Sequence, residues 1–200
     1  MARKKDKADI RKHEILEHFQ VVLAEQGFEG ASIAKIAKKM DVHPSLLIHY
    51  FSTKEDMILE LVDFILEQYE TMALKKMKEM NNPKKRLTML LDTIFGIDWI
   101  SLVDSSSFYA CYYLSFRNAE VKERLAKLYK RFKEYLVNEI NMCINEGLIN
   151  ESDPEKDADL IISLVEGLSF YRNIAGGKET YQELGSYLKE KALQMLSANR

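Results

Sequence analysis

Apolar residues recur along most of the chain at intervals of three and four, the spacing that places side chains on one face of an α-helix. Only three prolines and eight glycines occur among the 200 residues, so long helices are expected. The pattern predicts an all-α protein, with an N-terminal three-helix domain followed by a C-terminal helical bundle. The predicted long helices cover Asp9–Gln26, Lys54–Asn81, Ala119–Glu146, Pro154–Arg172 and Glu179–Leu196.

A pair of short helices is predicted between the first two long ones. Ser32 can cap the first short helix, because its hydroxyl can accept a hydrogen bond from an unpaired N–H of the first turn. Asp41 and Val42 form the turn between the two helices. Pro44 suits the first position of the second helix, where a missing N–H costs nothing. That helix then runs to Tyr50 or to the residue after it.

The second short helix has an inward and an outward side. Leu47 and Phe51 face inward, whereas Ser45, Ile48 and His49 face outward at helical spacing. Two short helices of this kind, crossing steeply, form the helix-turn-helix arrangement. The first helix braces the second, which is narrow enough to enter the major groove of DNA.

With its flanks, this segment resembles the DNA-binding segment of the TetR family of bacterial transcriptional regulators. The similarity extends over about Ile10 to Val62. The rest of the chain is similar in size and helical pattern, with a weaker likeness to the BetI-like branch. The residues that carry the resemblance are Gly27, Phe28, Ser32, Ile33, Ile36, Ala37, Val42, Leu47, His49, Tyr50, Phe51, Lys54 and Glu55.

The helix pair also departs from the family at several positions. Asp41 stands where the family usually has Gly, His43 where it favours Ser or Thr, and Ile48 where it favours Tyr. The run Pro44-Ser45-Leu46 replaces Lys-Gly-Thr or a similar run. None of these residues breaks the helix pair. Because several of them lie where bases are read, the operator sequence cannot be inherited from a relative.

The resemblance implies a DNA-binding transcriptional regulator, and specifically a repressor, that binds a roughly palindromic operator as a homodimer and is released by a small hydrophobic or amphipathic effector. Lys54 begins a helix, where an ammonium, free N–H groups and a positive dipole end form a phosphate site. A core position for Tyr50 is an alternative. The predicted DNA-binding residues are His43, Pro44, Ser45 and Ile48 toward bases, and Ser32, His49, Tyr50 and Lys54 toward phosphates.

The distribution of charge indicates two parts of the chain with different functions. The formal net charge is −2, but residues 1–54 carry +3 and all four histidines, and the remainder carries −5. A basic head on an acidic body is expected of a DNA-docking domain joined to a regulatory domain. We therefore predict a DNA-binding domain over residues 1–54 and an effector-binding and dimerisation domain over residues 55–200. The basic residues of Met1–Lys7 form either an arm that touches phosphate or a solvated, disordered terminus.

Residues 84–116 are rich in aromatic and large apolar side chains, with helix breaks predicted at Gly96–Asp98 and at Ser105–Ser107. Aromatic side chains with one polar edge suit an amphipathic small ligand, and this region forms the effector pocket in the resembled family. An ordinary hydrophobic core is the alternative. The predicted effector-binding residues are Met72, Phe95, Trp99, Phe108, Tyr109, Tyr112, Phe116 and Arg172.

The last two long helices carry more apolar surface than one subunit needs. Ser163 and Gly167 are small residues four apart, which allows a close approach between helices. Paired with copies of themselves, these helices form a four-helix dimer interface. A dimer also carries two reading helices on a two-fold axis, so that the spacing of two half-sites becomes part of recognition.

Other classes of protein are disfavoured by the sequence. Cys111 and Cys143 lie in apolar helices without motif spacing, so we expect buried thiols and neither a disulfide nor a metal site. No nucleophile is paired with a base and no phosphate loop is present, which argues against an enzyme and against a cofactor. Met1–Lys12 is too charged for a signal peptide, and no apolar run approaches the roughly 18 residues of a membrane span. The cytoplasm is the expected compartment. A dimeric ligand-binding or adaptor protein without DNA binding is the remaining alternative.

Overall fold

The computed structural model describes residues 2–77, 80–97, 99, 105–175 and 177–197, and every long regular element within those residues is an α-helix. The all-α prediction is confirmed for this part of the chain. The helices are α1 (Ala2–Gly30), α2 (Ile33–Lys39), α3 (Pro44–Tyr50), α4 (Lys54–Met77), α5 (Pro83–Ile94), α6 (Ser105–Ser115), α7 (Ala119–Asn145), α8 (Pro154–Ala175) and α9 (Lys178–Ser197).

The first helix begins earlier than the sequence pattern suggested. It starts at Ala2 and not at Asp9, because the intervening residues include neither Gly nor Pro and are mostly good helix formers. The predicted end is confirmed as a break in the helical path, since Gly27 has φ 68° and ψ 175°, a conformation essentially restricted to glycine. The predicted basic arm is Met1–Lys7, and the side chains of its residues 1–6 lie outside the described part of the chain.

Three further predicted boundaries lie beside gaps in the described chain. The predicted break at Ser105–Ser107 falls at the start of α6, where these serines form the first turn and residues 100–104 before them lie outside the described chain; serine favours helix starts. The predicted break at Gly96–Asp98 lies only partly in the described chain, where Phe95 ends α5. The predicted end of α4 at Asn81 falls beyond its last described helical residue, Met77, and residues 78 and 79 lie outside the described chain.

The chain divides into two compact units. The first unit contains Met1–Glu67 and Val103–Leu128, and the second contains Gln68–Leu102 and Tyr129–Arg200. In the first unit, α6 packs along α1 and buries Ala110 and Cys111. Burial raises the pKa of the Cys111 thiol to about 12, so the thiol stays protonated. Both cysteines are free and buried, as the sequence indicated.

The second unit has its own hydrophobic core, formed by α5, the second part of α7, α8 and α9. The approach of α9 to α5 requires a glycine, because a Cβ atom at Gly185 would lie 2.4 Å from the carbonyl oxygen of Phe95. The buried core residues are Leu87, Leu90, Leu91, Ile94, Phe95, Leu136, Ile140, Cys143, Ala158, Ile161, Val165, Leu168, Tyr181, Ala192 and Leu196.

A buried ion pair joins α5 to α7 in this unit. Nε of Arg86 donates to the two carboxylate oxygens of Glu139 at 3.0 and 3.2 Å. The guanidinium also donates to the carbonyl oxygen of Met80 at 3.0 Å. Burial raises the pKa of Glu139, and Arg86 opposes that rise by stabilising the carboxylate. The charge of Glu139 therefore depends on its partner.

We predict that Arg86→Met lowers the free energy of unfolding by about 3–5 kcal/mol, because it leaves a buried carboxylate without a counter-ion. In the folded variant, the pKa of Glu139 lies above its value in the unfolded chain. The loss of stability should therefore shrink as the pH falls and the buried carboxylate takes up a proton. Urea unfolding at several pH values measures both effects. The double variant Arg86→Met/Glu139→Met should recover most of the loss; a double variant as unstable as the single one would contradict this account.

Candidate nucleic-acid interface and effector region

The helix pair α2–α3 is held from its inner side. Ile36, Ala37 and Leu47 are each 0% exposed, and Phe51 directly after α3 is buried as well. Full burial of a side chain such as Leu47 contributes about 1.5–3 kcal/mol. Since α3 contains only seven residues, it cannot form a stable helix alone. Its position therefore depends on this packing.

The turn between α2 and α3 explains why glycine is usual at one position. Asp41 has φ 54°, in the left-handed region. The N–H of Val42 donates to the carbonyl oxygen of Ala37 at 3.0 Å. The N–H of Asp41 donates to the carbonyl oxygen of Lys38 at 3.2 Å. These two bonds form a Schellman motif, which normally places Gly at the left-handed position. Aspartate is among the side chains that tolerate this conformation, so the turn survives without glycine.

The start of α3 is capped by a histidine. Pro44 is the first helical residue, as predicted, and His43 is the N-cap residue. Nδ1 of His43 accepts the backbone N–H of Ser45 at 3.3 Å and lies 2.8 Å from the Ser45 hydroxyl. The imidazole thus performs the capping role that Ser or Thr usually has.

The outer side of α3 carries the residues that the helical spacing predicted. Ser45 and His49 are exposed, and Ile48 is 55% exposed. The ring of His49 meets Tyr50 edge-on, with the ring centroids 5.1 Å apart. The orientation of Ser45, Ile48 and His49 is confirmed, and the result is a small outward surface with one hydroxyl, one apolar side chain and one imidazole.

Two of the residues predicted to contact phosphate also hold the local fold. The hydroxyl of Ser32 accepts the N–H of Lys35 at 3.3 Å, so the predicted cap of α2 is confirmed. Nζ of Lys54 donates to the carbonyl oxygen of Phe28 at 2.8 Å and lies 4.0 Å from the centroid of the Phe28 ring. Lys54 thereby fastens the end of α1, just beyond the break at Gly27, to the start of α4. An ammonium group has three donors, and this bond uses one of them.

The start of α4 is fixed by a reciprocal capping box. The hydroxyl of Thr53 accepts the N–H of Asp56 at 3.0 Å, and the N–H of Thr53 donates to the Asp56 carboxylate at 3.0 Å. This confirms the Thr53-x-x-Asp56 pattern as the cap that forms. Lys54 is therefore presented by a rigid backbone.

The structure distributes the predicted effector residues over both compact units. The α6 residues belong to the first unit, where Tyr112 is 51% and Phe116 72% exposed. Tyr109 and Tyr113, with residues at the end of α1, line an open depression of about 430 Å³. The other α6 residue of the prediction is Phe108, and the predicted residues of the second unit are Met72, Phe95, Trp99 and Arg172.

Trp99 is the centre of an aromatic cluster in the second unit. Its ring stacks on Tyr69 with 4.0 Å between centroids and on Phe132 with 5.4 Å. Phe95, by contrast, is only 3% exposed and belongs to the core. Tyr69 and Phe132 are not among the predicted effector residues, because periodicity alone does not show which aromatic rings meet.

An acidic side chain lies within electrostatic range of this cluster. Burial raises the pKa of Glu166, and a hydrogen bond from Tyr129 opposes the rise. Burial and then the charge of Glu166 raise the pKa of Tyr69. No basic side chain in the described part of the chain pairs with Glu166. Periodicity gave no signal for Glu166, since a single carboxylate on a long helix is ordinary.

None of the helices, over the described residues, is both long and apolar enough to cross a membrane. Within the same residues, no group of three or more His, Cys, Asp or Glu side chains is placed to hold a metal ion.

Known families match both parts of the chain. The family described as "Bacterial regulatory proteins, tetR family" matches residues 15–61, and the family described as "Tetracyclin repressor-like, C-terminal domain" matches residues 82–198. Among curated proteins, the chain is 23% identical over 159 residues to the HTH-type transcriptional regulator BetI of Rhizobium meliloti (strain 1021), covering 80% of this chain and 76% of that protein.

Solved structures show the same fold. A TetR transcription regulator from Haloarcula marismortui superposes with a TM-score of 0.83 at 18% identity, over 95% of this chain and 100% of the other. A putative transcriptional regulator from Saccharomonospora viridis, solved with choline, superposes with a TM-score of 0.79 at 16% identity, over 96% of this chain and 97% of the other. The FadR regulator of Bacillus subtilis, solved with stearoyl-CoA, superposes with a TM-score of 0.69 at 20% identity, over 92% of this chain and 96% of the other.

A braced helix-turn-helix followed by a helical body defines a DNA-binding regulator of transcription, a class of protein that is not an enzyme. The family match over residues 82–198, together with the match over the helix pair, shows that this chain belongs to the TetR family.

The contact of Lys54 with Phe28 can be tested by stability. We predict that Lys54→Met lowers the free energy of unfolding by about 1–2 kcal/mol, because it removes a charged hydrogen bond and a cation–π contact that are only partly shielded from water. Lys38→Met, at an exposed position of α2, is the matched control. It should change the free energy of unfolding by less than about 0.5 kcal/mol. Urea unfolding measures both. Equal stabilities of the two variants would show that the contact does not hold α1 to α4.

Proposed function

We propose that this regulator is a cytoplasmic repressor that binds a roughly palindromic operator as a homodimer and dissociates when a small amphipathic effector binds. The observation that carries the proposal is the outward surface of α3, which leaves Ser45, Ile48 and His49 free of the core on a braced helix. A helix of this kind suits the major groove. The proposal keeps a DNA-binding domain over residues 1–54 and a regulatory domain over residues 55–200.

Base and phosphate contacts divide between two sets of residues. Ile48, 55% exposed, suits contact with a thymine methyl group, and Ser45 suits a hydrogen bond to a base edge. Because phosphate contacts release counter-ions, affinity should fall steeply with salt. The proposed contacts are His43, Pro44, Ser45 and Ile48 with bases, and Ser32, His49, Tyr50 and Lys54 with phosphates.

The dimer interface is proposed on α8 and α9. Exposed apolar side chains follow one stripe of α8 at helical spacing, namely Leu160, Phe170, Tyr171 and Ile174, of which Ile174 is 74% exposed. Ser163 and Gly167 continue the same stripe, and among the described residues a Cβ atom at Gly167 would meet nothing within 4 Å beyond its own stretch of helix. Such a stripe favours a second copy as its cover, since single subunits rarely expose so much continuous apolar surface.

The effector site is proposed around Trp99 in the second unit. Tyr69 and Phe132 both stack on its ring, and Glu166 lies within electrostatic range of Tyr69. Aromatic faces, together with a carboxylate that accepts a hydrogen bond from Tyr129 and has no basic partner among the described residues, favour an amphipathic molecule with a positive charge. The choline complex of a similar structure supports this choice, whereas the stearoyl-CoA complex of another indicates how widely ligands vary within the fold.

DNA binding and dimerisation are tested together with a fluorescent duplex taken from beside the protein's own gene. The wild-type protein should sediment as a dimer and bind the duplex with an affinity that falls steeply between 50 and 200 mM salt. Ile174→Glu should give monomers and weaken binding at least about tenfold, because one reading helix contacts too few base pairs. Ile10→Glu, also at an exposed apolar position (67%), should leave the dimer intact.

Two results would contradict the proposal. If the wild-type protein is monomeric, or ignores the duplex at low salt, the chain is a ligand-binding protein without operator binding. If Ile174→Glu remains a dimer, the interface lies elsewhere.

The effector proposal uses Trp99, the only tryptophan, as a fluorescent reporter. Choline should change its emission saturably, and the uncharged carbon isostere 3,3-dimethylbutanol should bind more weakly. Because burial raises the pKa of Glu166, the ionised fraction and hence the choline affinity should increase as the pH rises.

Glu166→Gln should weaken choline binding about tenfold, equivalent to about 1.4 kcal/mol, and abolish the pH dependence. Glu134→Gln, at an exposed position of α7, should do neither. Equal binding of choline and its isostere would show that the effector is not a cation.

A further inference from the structure

The N-cap histidine of α3 and the hydroxyl beside it share one nitrogen atom. Nδ1 of His43 lies 3.3 Å from the backbone nitrogen of Ser45 and 2.8 Å from its Oγ. Both residues are exposed on the outer part of the helix pair. The pair is therefore placed where the proposed function puts DNA bases.

The direction of these hydrogen bonds follows from elementary chemistry. A backbone N–H can only donate, so Nδ1 of His43 must offer its lone pair, and the neutral ring carries its proton on Nε2. Because the same nitrogen has no proton, the Ser45 hydroxyl can bond to it only by donating its own hydrogen. The single proton of that hydroxyl is thereby engaged within the protein, and only oxygen lone pairs point outward.

We propose that Ser45 reads the operator as a hydrogen-bond acceptor whose polarity is set by His43, and that it selects a base with an exocyclic amine in the major groove. This inference rests on the proposed DNA binding by α3. In the major groove only adenine N6 and cytosine N4 present amine donors, whereas guanine O6 and N7 and thymine O4 are acceptors. A serine with a freely rotating hydroxyl bonds to either kind of base edge, and this one does not.

His43 acts in this scheme as a positioning residue. It does not touch the selected base; it holds the hydroxyl proton that would otherwise be offered to guanine or thymine. A purely structural role as helix cap is distinguishable, because loss of a cap weakens binding to every sequence by the same factor. Loss of the polarity control changes the ratio of affinities between sequences.

The experiment selects duplexes from a library in which each operator position is randomised, with the full-length dimer and with variants. The wild-type protein should require adenine or cytosine at one position of each half-site, by about tenfold over guanine or thymine. Ser45→Ala should lose that requirement. His43→Ala should reduce the preference for adenine or cytosine at that position to about threefold or less. Ser45→Thr, which keeps the hydroxyl, should retain the wild-type preference.

A base analogue provides the second measurement. Where adenine is selected, a hypoxanthine–cytosine pair in place of the adenine–thymine pair exchanges the N6 amine for an oxygen acceptor; where cytosine is selected, a uracil–adenine pair in place of the cytosine–guanine pair does the same at N4. Wild-type affinity should fall about tenfold on this exchange, and Ser45→Ala affinity should not change.

Three outcomes would overturn the inference: a Ser45-dependent preference for guanine or thymine, no base preference that depends on Ser45, or an unchanged ratio in His43→Ala. Failure of the wild-type protein to bind any duplex would instead overturn the proposed function on which the inference rests.

Discussion

The burial of Leu47 on α3 and of Phe51 directly after it is the constraint on which the outer surface of α3 depends. A helix of seven residues forms too few internal hydrogen bonds to be stable by itself. Leu47 is 0% exposed, and Phe51 is buried with its ring 5.7 Å from the ammonium of Lys12 on α1. Packing thus fixes the inner side of α3 and leaves its outer side free of the core. The proposed base contacts lie on that outer side, so the residues that stabilise the helix are not the residues proposed to read DNA.

Local chemistry compensates where the chain departs from its family. Asp41 occupies a left-handed position that usually requires glycine, and its N–H still completes the Schellman motif. His43 replaces a hydroxyl cap with an imidazole nitrogen. At both positions the helix pair keeps its hydrogen bonds while the side chain changes. These substitutions change the exposed side chains of the helix pair at small cost to the fold.

Much of this fold was predictable from the sequence, and its failures have physical causes. Helix faces followed from periodicity, the cap at Ser32 followed from local hydrogen bonding, and the helix start at Pro44 followed from its missing N–H. The contact between Lys54 and Phe28, 26 residues apart, and the stacking of Tyr69 on Trp99 depend on tertiary packing, which no local pattern encodes. For the same reason, periodicity could not show that Phe116 is exposed or that Glu166 lies within electrostatic range of Tyr69.

Amide hydrogen exchange with and without the upstream duplex tests most directly whether the α2–α3 surface is the part of the molecule that meets DNA. The account predicts slower exchange on DNA addition in peptides that cover residues 32–54, and unchanged exchange in peptides from α8 and α9 of the preformed dimer. Unchanged exchange across residues 32–54 in the presence of saturating, bound duplex would contradict it.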